Sequence, residues 1–104
     1  MAKKESQFQK DFLDEVRDRY PGCVILKNDS SYIQGFPDWT ILYKDKWAVL
    51  EMKKEKNAKK QPNQEYYVNK LDGMSFSRFT YPENAHEVME RLDEHFTGRG
   101  NIHI

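Results

Sequence analysis

Phe8, Phe12, Leu13, Val16 and Tyr20 recur at helical spacing through an otherwise charged and amide-rich segment, and Pro21-Gly22 stops the pattern. The spacing predicts a first helix from Ser6 to Tyr20. The short β-branched and apolar run from Cys23 to Lys27 predicts a strand, followed by a polar loop, Asn28 to Gln34, and the punctuation Gly35-Phe36-Pro37. Pro37 biases Phe36 towards extended backbone. Asp38 to Tyr43 and Lys46 to Lys53 predict two further strands joined by a tight turn at Lys44-Asp45, an antiparallel hairpin. Pro62 can open a second helix, with Tyr67, Val68 and Leu71 on its apolar face and Gly73 as its C-terminal cap. Alternation from Ser75 to Tyr81 predicts a fourth strand. After Pro82-Glu83, Ala85, Val88, Met89, Leu92 and Phe96 form the stripe of a last helix ending near Gly98.

The elements follow the order helix, three strands, helix, strand, helix, which defines one α/β domain over residues 1–98. Residues 99–104 form an uninformative tail. A length of 104 residues suits a single compact core, and 38% apolar against 33% charged residues argues against disorder. No apolar run reaches the length of a membrane span, and the lysine-rich start lacks the apolar segment of a secretory signal. The expectation is a cytoplasmic protein without membrane partners. The lone Cys23 sits in an apolar run and is expected to be a small buried residue rather than a nucleophile or ligand.

Seventeen basic and seventeen acidic side chains cancel, which on its own argues against a phosphate-binding protein. Their distribution argues the other way. Lys53, Lys54, Lys56, Lys59 and Lys60 fall in one short stretch opposed only by Glu55, while most acidic residues lie in the outer thirds of the chain.

The hairpin carries the candidate chemistry. Side chains alternate along a strand, so Glu51 and Lys53 project from the same face. With the turn at Lys44-Asp45, the positions opposite them lie near Asp38 and just before it, so two carboxylates and an ammonium converge. Two neighbouring carboxylates repel unless a cation stabilises both, and oxygen-only ligation suits Mg²⁺ or Mn²⁺. The backbone carbonyl of Met52 is a further candidate ligand. Lys53 can orient the attacking water or stabilise a pentavalent phosphate. This is the chemistry of phosphodiester hydrolysis. The acidic-x-Lys triplet occurs once in the chain, at the end of its most apolar strand, Trp47-Ala48-Val49-Leu50. A surface ion pair capping a strand is the plainer alternative.

Pro37-Asp38 followed by Glu51-x-Lys53, on this order of elements, resembles the PD-(D/E)XK nuclease superfamily, with its restriction-endonuclease-like mixed sheet flanked by helices. Glu5-Ser6 and Gln9, Gly35-x-Pro37-Asp38, Glu51-x-Lys53 and Gln64 resemble more narrowly the VRR-NUC family of replication and repair nucleases, which includes small phage members, over nearly the whole chain. The resemblance implies that Asp38 and Glu51 bind the metal, that Lys53 assists the nucleophilic water, and that Gln64 and Glu5 support the site, Gln64 as a catalytic residue and Glu5 as a candidate further metal ligand. Glu5 could equally be an acid complementing its helix dipole. The resemblance also implies a homodimeric DNA endonuclease acting on branched substrates such as Holliday junctions in replication, recombination or repair, in the host cytoplasm if the gene is viral. Lys54, Lys56, Lys59 and Lys60, placed between the catalytic strand and the Gln64 helix, would then hold the phosphodiester backbone.

Phe36 and Trp39 stand where the family often has aliphatic residues. Core packing is the expectation for both and for Tyr32, with contacts to DNA bases or a partner chain as the alternative. His86, His95 and His103 share no face and no zinc-type spacing, so metal ligation by them is not expected. Two rivals to a nuclease are a catalytically weak nucleic-acid-binding or regulatory module on the same fold, and a domain whose lysines and aromatics meet an acidic protein partner.

Overall fold

The computed structural model describes residues 4–98; the tail and His103 lie outside them. Helix α1 (Glu5–Arg19) is followed by strands β1 (Val24–Lys27), β2 (Trp39–Tyr43) and β3 (Lys46–Met52), helix α2 (Gln64–Met74), strand β4 (Ser77–Thr80), a 3-10 turn (Pro82–Asn84) and helix α3 (Ala85–Thr97). The four strands form one sheet in the order β1-β2-β3-β4. The first three run antiparallel, and β4 joins β3 in parallel after the α2 crossover. The fold is therefore an α/β domain with a mixed sheet, as the hydrophobic pattern led one to expect. Among the described residues no helix is long and apolar enough to cross a membrane.

The core lies on the sheet face that carries Ile41, Ala48, Leu50 and Met52. Phe8, Phe12, Leu13 and Val16 of α1 and Val88, Met89, Leu92 and Phe96 of α3 pack on it as one buried cluster. Each such side chain contributes roughly 1.5–3 kcal/mol through removal from water. Tyr20, Tyr43 and Phe96 meet at ring separations of 5.1–5.5 Å, and the buried Tyr20 hydroxyl donates to Asp93 at 2.8 Å, so an aromatic of this size closes the core without stranding its polar end. Helix α2 packs on β3 and β4 and buries Val68 and Leu71 outside that cluster, as Val49 is. By strand alternation Val49 and Glu51 point to the face opposite Leu50. The site therefore lies on the α2 side of the sheet.

Several boundaries differ from the sequence expectation, each for a local reason. Strand β2 starts at Trp39 rather than Asp38 because Pro37 has no N–H with which to extend the β2–β3 ladder, and β3 ends at Met52 rather than Lys53, where its parallel pairing with β4 ends. Strand β1 starts one residue later than expected, at Val24, and β4 is confined to Ser77–Thr80. Gly73 does not cap α2. It lies inside the helix, which runs on until the Ser75 N–H donates to Leu71 O at 2.9 Å, and the Ser75 hydroxyl then turns to Trp47 O. Pro62 precedes α2, whose N-cap is Asn63 in left-handed conformation. Cys23 is a free thiol only partly buried against the core, not fully enclosed, and what burial it has raises its pKa above the ordinary value.

Gly35 fixes the approach of the 28–37 loop to the start of α2. Its φ of +87° lies in the left-handed region, and a Cβ there would come within 2.6 Å of Asn63 Cβ and 2.7 Å of Pro62 O. Gly35→Ala therefore combines backbone strain with a collision against main chain. The expected result is a loss of roughly 2–4 kcal/mol, read as a lower denaturation midpoint with an unchanged slope.

Candidate active site

The register of the hairpin assembles the site. Tyr43 pairs with Lys46 across the two-residue turn, and Trp39 pairs with Leu50, so one further step sets Asp38 opposite Glu51. Lys44 turns the chain at a φ of 57°. Asp38 is held from the other side as well: Asn28 N–H donates to its carbonyl at 2.7 Å, and Asn28 Nδ2 donates to the Pro37 carbonyl and to Thr40 Oγ1 at 2.8 Å each. Asn28 thus locks the Pro37-Asp38 segment as it enters β2.

Glu51 is only 3% exposed, a buried acid on an otherwise apolar strand. Lys53 Nζ stands 3.7 Å from its Oε2, with the lysine side chain 12% exposed, and also donates to Lys59 O at 3.3 Å. Burial, followed by the negative charge of Asp38, pushes the Glu51 carboxyl up to about 7; Lys53 and Lys27 pull the other way and do not win. Part of this elevation is a hydrogen bond with Asp38, which exists only when one of the two acids carries a proton. Glu51 Oε1 is buried with no hydrogen-bond partner among the described residues.

Met52 adds a third oxygen. Val49 N–H and Lys53 N–H donate to Phe76 O and Thr80 O, so the odd-numbered residues at this end of β3 bond towards β4, and the even-numbered ones face β2. The Met52 carbonyl consequently faces residue 37, and Pro37 has no N–H to give it. Two carboxylates with an orphaned buried oxygen, beside a carbonyl lacking its ladder donor, match the all-oxygen preference of Mg²⁺ or Mn²⁺. Among the described residues no three His, Cys, Asp or Glu side chains gather at metal-binding distance.

These groups open into a cleft of about 440 Å³ whose wall also includes Glu5, Ser30, Gln34, Gln61 and Gln64. Gln64 is buried and accepts from the Gln61 N–H at 2.8 Å, so its carbonyl oxygen fixes the entry to α2 while the side chain lines the cleft. Glu5 reaches the same cleft from the first turn of α1, exposed and hydrogen-bonded by Gln9 Nε2 at 3.0 Å. Lys54, Lys56, Lys59 and Lys60 are exposed on the segment between β3 and α2. None of their side chains lines the cleft itself, and the Lys60 ammonium lies 4.8 Å from the centre of the Phe79 ring.

Two residues near the carboxylates were not singled out from sequence. Lys27 Nζ is 3.9 Å from Asp38 Oδ1 and sits over the Trp39 ring at 4.7 Å, a second ammonium at the mouth of the site. Asn28 is the other. They stand at the junction of the Cys23–Lys27 run and the polar loop, where a lysine and an asparagine read as an ordinary strand end. Their pairing with Trp39 and Asp38 would have been the available signal. Of the aromatics expected in the core, Trp39 packs partly against it and Phe36 is half-buried against Tyr67, but Tyr32 is 87% exposed. The polar loop carries Tyr32 outward, with no apolar layer over it. His95 Nε2 lies 3.0 Å from Trp47 O, and exposed His86 pairs with Glu90, so both described histidines have structural settings.

Comparison with protein-family models, with characterised proteins and with solved structures found no match.

Proposed function

We propose that the protein is a divalent-metal-dependent DNA endonuclease with a core of the PD-(D/E)XK type, of the kind the VRR-NUC resemblance implies. One observation carries this reading: Asp38 and Glu51 face each other across the hairpin with Lys53 Nζ 3.7 Å from Glu51, in an open cleft beside a run of exposed lysines. A plain strand-end ion pair would not need the second acid. Nor would it be expected to leave a carboxylate oxygen buried and unpartnered, since burying such an atom costs free energy that a surface pair never incurs.

Asp38, Glu51 and the Met52 carbonyl would hold Mg²⁺ or Mn²⁺. When bound, the cation supplies Lewis acidity to a phosphoryl oxygen and lowers the pKa of a water. The Lys53 ammonium, tethered by Glu51 and Lys59 O, is placed to orient that water and to offset the charge that builds on the pentavalent phosphate. Lys54, Lys56, Lys59 and Lys60 would neutralise neighbouring phosphates without reading sequence, and Lys27 would add to the field at the mouth. Gln64 and Glu5 shape the wall against which the strand lies. One chain provides one such site, so cutting both strands of a branched DNA such as a Holliday junction calls for a homodimer.

The test is cleavage of labelled junction, flap, single-stranded and duplex DNA in Mg²⁺ or Mn²⁺. Metal-dependent strand breaks are expected, with branched DNA cut in preference to linear duplex. DNA that is bound but never broken would reject hydrolysis and leave a binding module on this fold.

A further inference from the structure

Beside the carboxylate cleft is a second hollow of about 350 Å³, lined by Asn28, Asp29, Tyr32, Ile33 and Phe36. Phe36 lines both, so a nucleotide with its phosphate in the first would carry its neighbour to the second. We propose that this hollow receives one unpaired nucleobase of the DNA strand being processed, stacked on Tyr32 and Phe36. The inference rests on the nuclease reading and specifies which part of the substrate the protein grips.

Four features favour a base over other occupants. Tyr32 is the most exposed of the large apolar residues, at 87%, and sits on a turn held by its own N–H to Asp29 O at 3.2 Å, so its ring is presented at little entropic cost. Phe36 is backed by the tilted ring of Tyr67 at 5.9 Å, and Tyr67 meets Tyr66 edge-on at 5.0 Å, which makes one wall an aromatic cluster. Asp29 stays ionised, held below its ordinary pKa by the Ser31 hydroxyl and N–H, and Asn28 is committed to Pro37 and Thr40. Among the described residues no cation lines the hollow, and the Asp29 carboxylate disfavours a phosphate there while an uncharged heterocycle can enter. The neighbouring cleft combines Lys53 with Glu5, Asp38 and Glu51, so the cations that would hold a phosphate near it are Lys53, Lys27 beside Asp38 and the exposed lysines of the β3–α2 connection. The shared Phe36 wall and the exposed Tyr32 ring thus assign the base to this hollow, next to the cleft.

Base stacking on an aromatic side chain commonly changes affinity by about tenfold. The test uses the full chain in EDTA, so that no strand is cut, and fluorescence anisotropy on a duplex bearing a short single-stranded arm, either with its bases or abasic. The wild type is expected to bind the base-bearing arm about tenfold more tightly than the abasic one. Tyr32→Ala should bring the two within about twofold, and Tyr32→Phe should restore the preference, since a ring rather than the hydroxyl is required. Equal binding of both arms by the wild type, or an undiminished preference in Tyr32→Ala, would overturn the proposal. Running the same variants in Mg²⁺ separates the two readings. Cutting without a base preference rejects the hollow alone, a base preference without cutting rejects hydrolysis alone, and absence of binding to every DNA rejects both.

Discussion

Lys53→Ala is expected to slow metal-dependent DNA cleavage by at least about 100-fold while leaving the fold and most DNA affinity in place, on the scale of other single-donor losses at developing negative charge. The reason lies in its position just past the end of β3. The side chain is nearly buried, with Nζ fixed by Glu51 and by Lys59 O, and a methyl group in its place cannot supply a proton donor or a positive charge to the same point. Removing it takes the compensating charge from the buried Glu51 and leaves that carboxyl against Asp38, so the metal-free variant should lose roughly 3 kcal/mol of stability, a loss that a bound divalent ion would offset. Circular dichroism and thermal melting establish that the variant is folded, and single-turnover cleavage reads the rate. A folded variant cutting at the wild-type rate would show that Lys53 is a strand-end ion pair and nothing more.

Glu51→Gln is expected to make the metal-free protein more stable and the loaded protein inactive. The Glu51 carboxyl has a folded-state pKa of about 7 against an ordinary 4.5, so the folded state binds its proton more tightly than the unfolded state does. The sign follows directly. Below about pH 4.5 both states are protonated and the group costs nothing, between 4.5 and 7 the cost grows as pH rises, and above 7 it is fully present. At about 1.4 kcal/mol per pH unit the full cost is about 3 kcal/mol, reduced in the variant because Lys53 loses its partner and the new amide needs partners of its own. The net expectation is a gain of about 1–3 kcal/mol at pH 8, or roughly 5–15 °C in Tm, vanishing by pH 4. Millimolar Mg²⁺ or Mn²⁺ should raise the Tm of the wild type by cancelling the same repulsion, and should do far less for Glu51→Gln. A variant less stable than the wild type at pH 8, with an unchanged metal response, would mean that Asp38 and Glu51 are not a strained metal-binding pair.

The convergence of Asp38 with Glu51 was legible because it depends on two strong local signals. One is the polar two-residue turn Lys44-Asp45 between runs of β-formers, and the other is the period-two alternation that then sets every partner across the hairpin. The apolar stripes of α1 and α3 were equally readable, since the periodicity reports directly which side of a helix is buried. What periodicity does not report is how a loop returns. The contact of Gly35 with Asn63, the approach of Lys27 to Asp38 and the outward presentation of Tyr32 all depend on long-range packing of the 28–37 segment, where no repeating pattern operates. Gly73 was misleading for a related reason: glycine is common at helix ends, but here a Cβ would meet nothing, so the residue sits in the last turn without marking the stop. The lysine run was placed on the correct connection. The sequence could not show that Lys53 lines the cleft while the side chains of Lys54, Lys56, Lys59 and Lys60 do not, because an exposed loop leaves long cationic side chains free to follow solvent.

The central claim, that Asp38, Glu51 and Lys53 hydrolyse DNA with a bound divalent ion, is tested most directly by one side-by-side cleavage measurement. Wild type, Glu51→Gln and Lys53→Ala are incubated with the same labelled branched DNA in Mg²⁺ or Mn²⁺, with and without EDTA, and strand breaks are counted over time. The account predicts breaks from the wild type alone and only while the metal is free. Breaks that persist in EDTA or in both folded variants, or a folded wild type that never breaks the DNA, would contradict it.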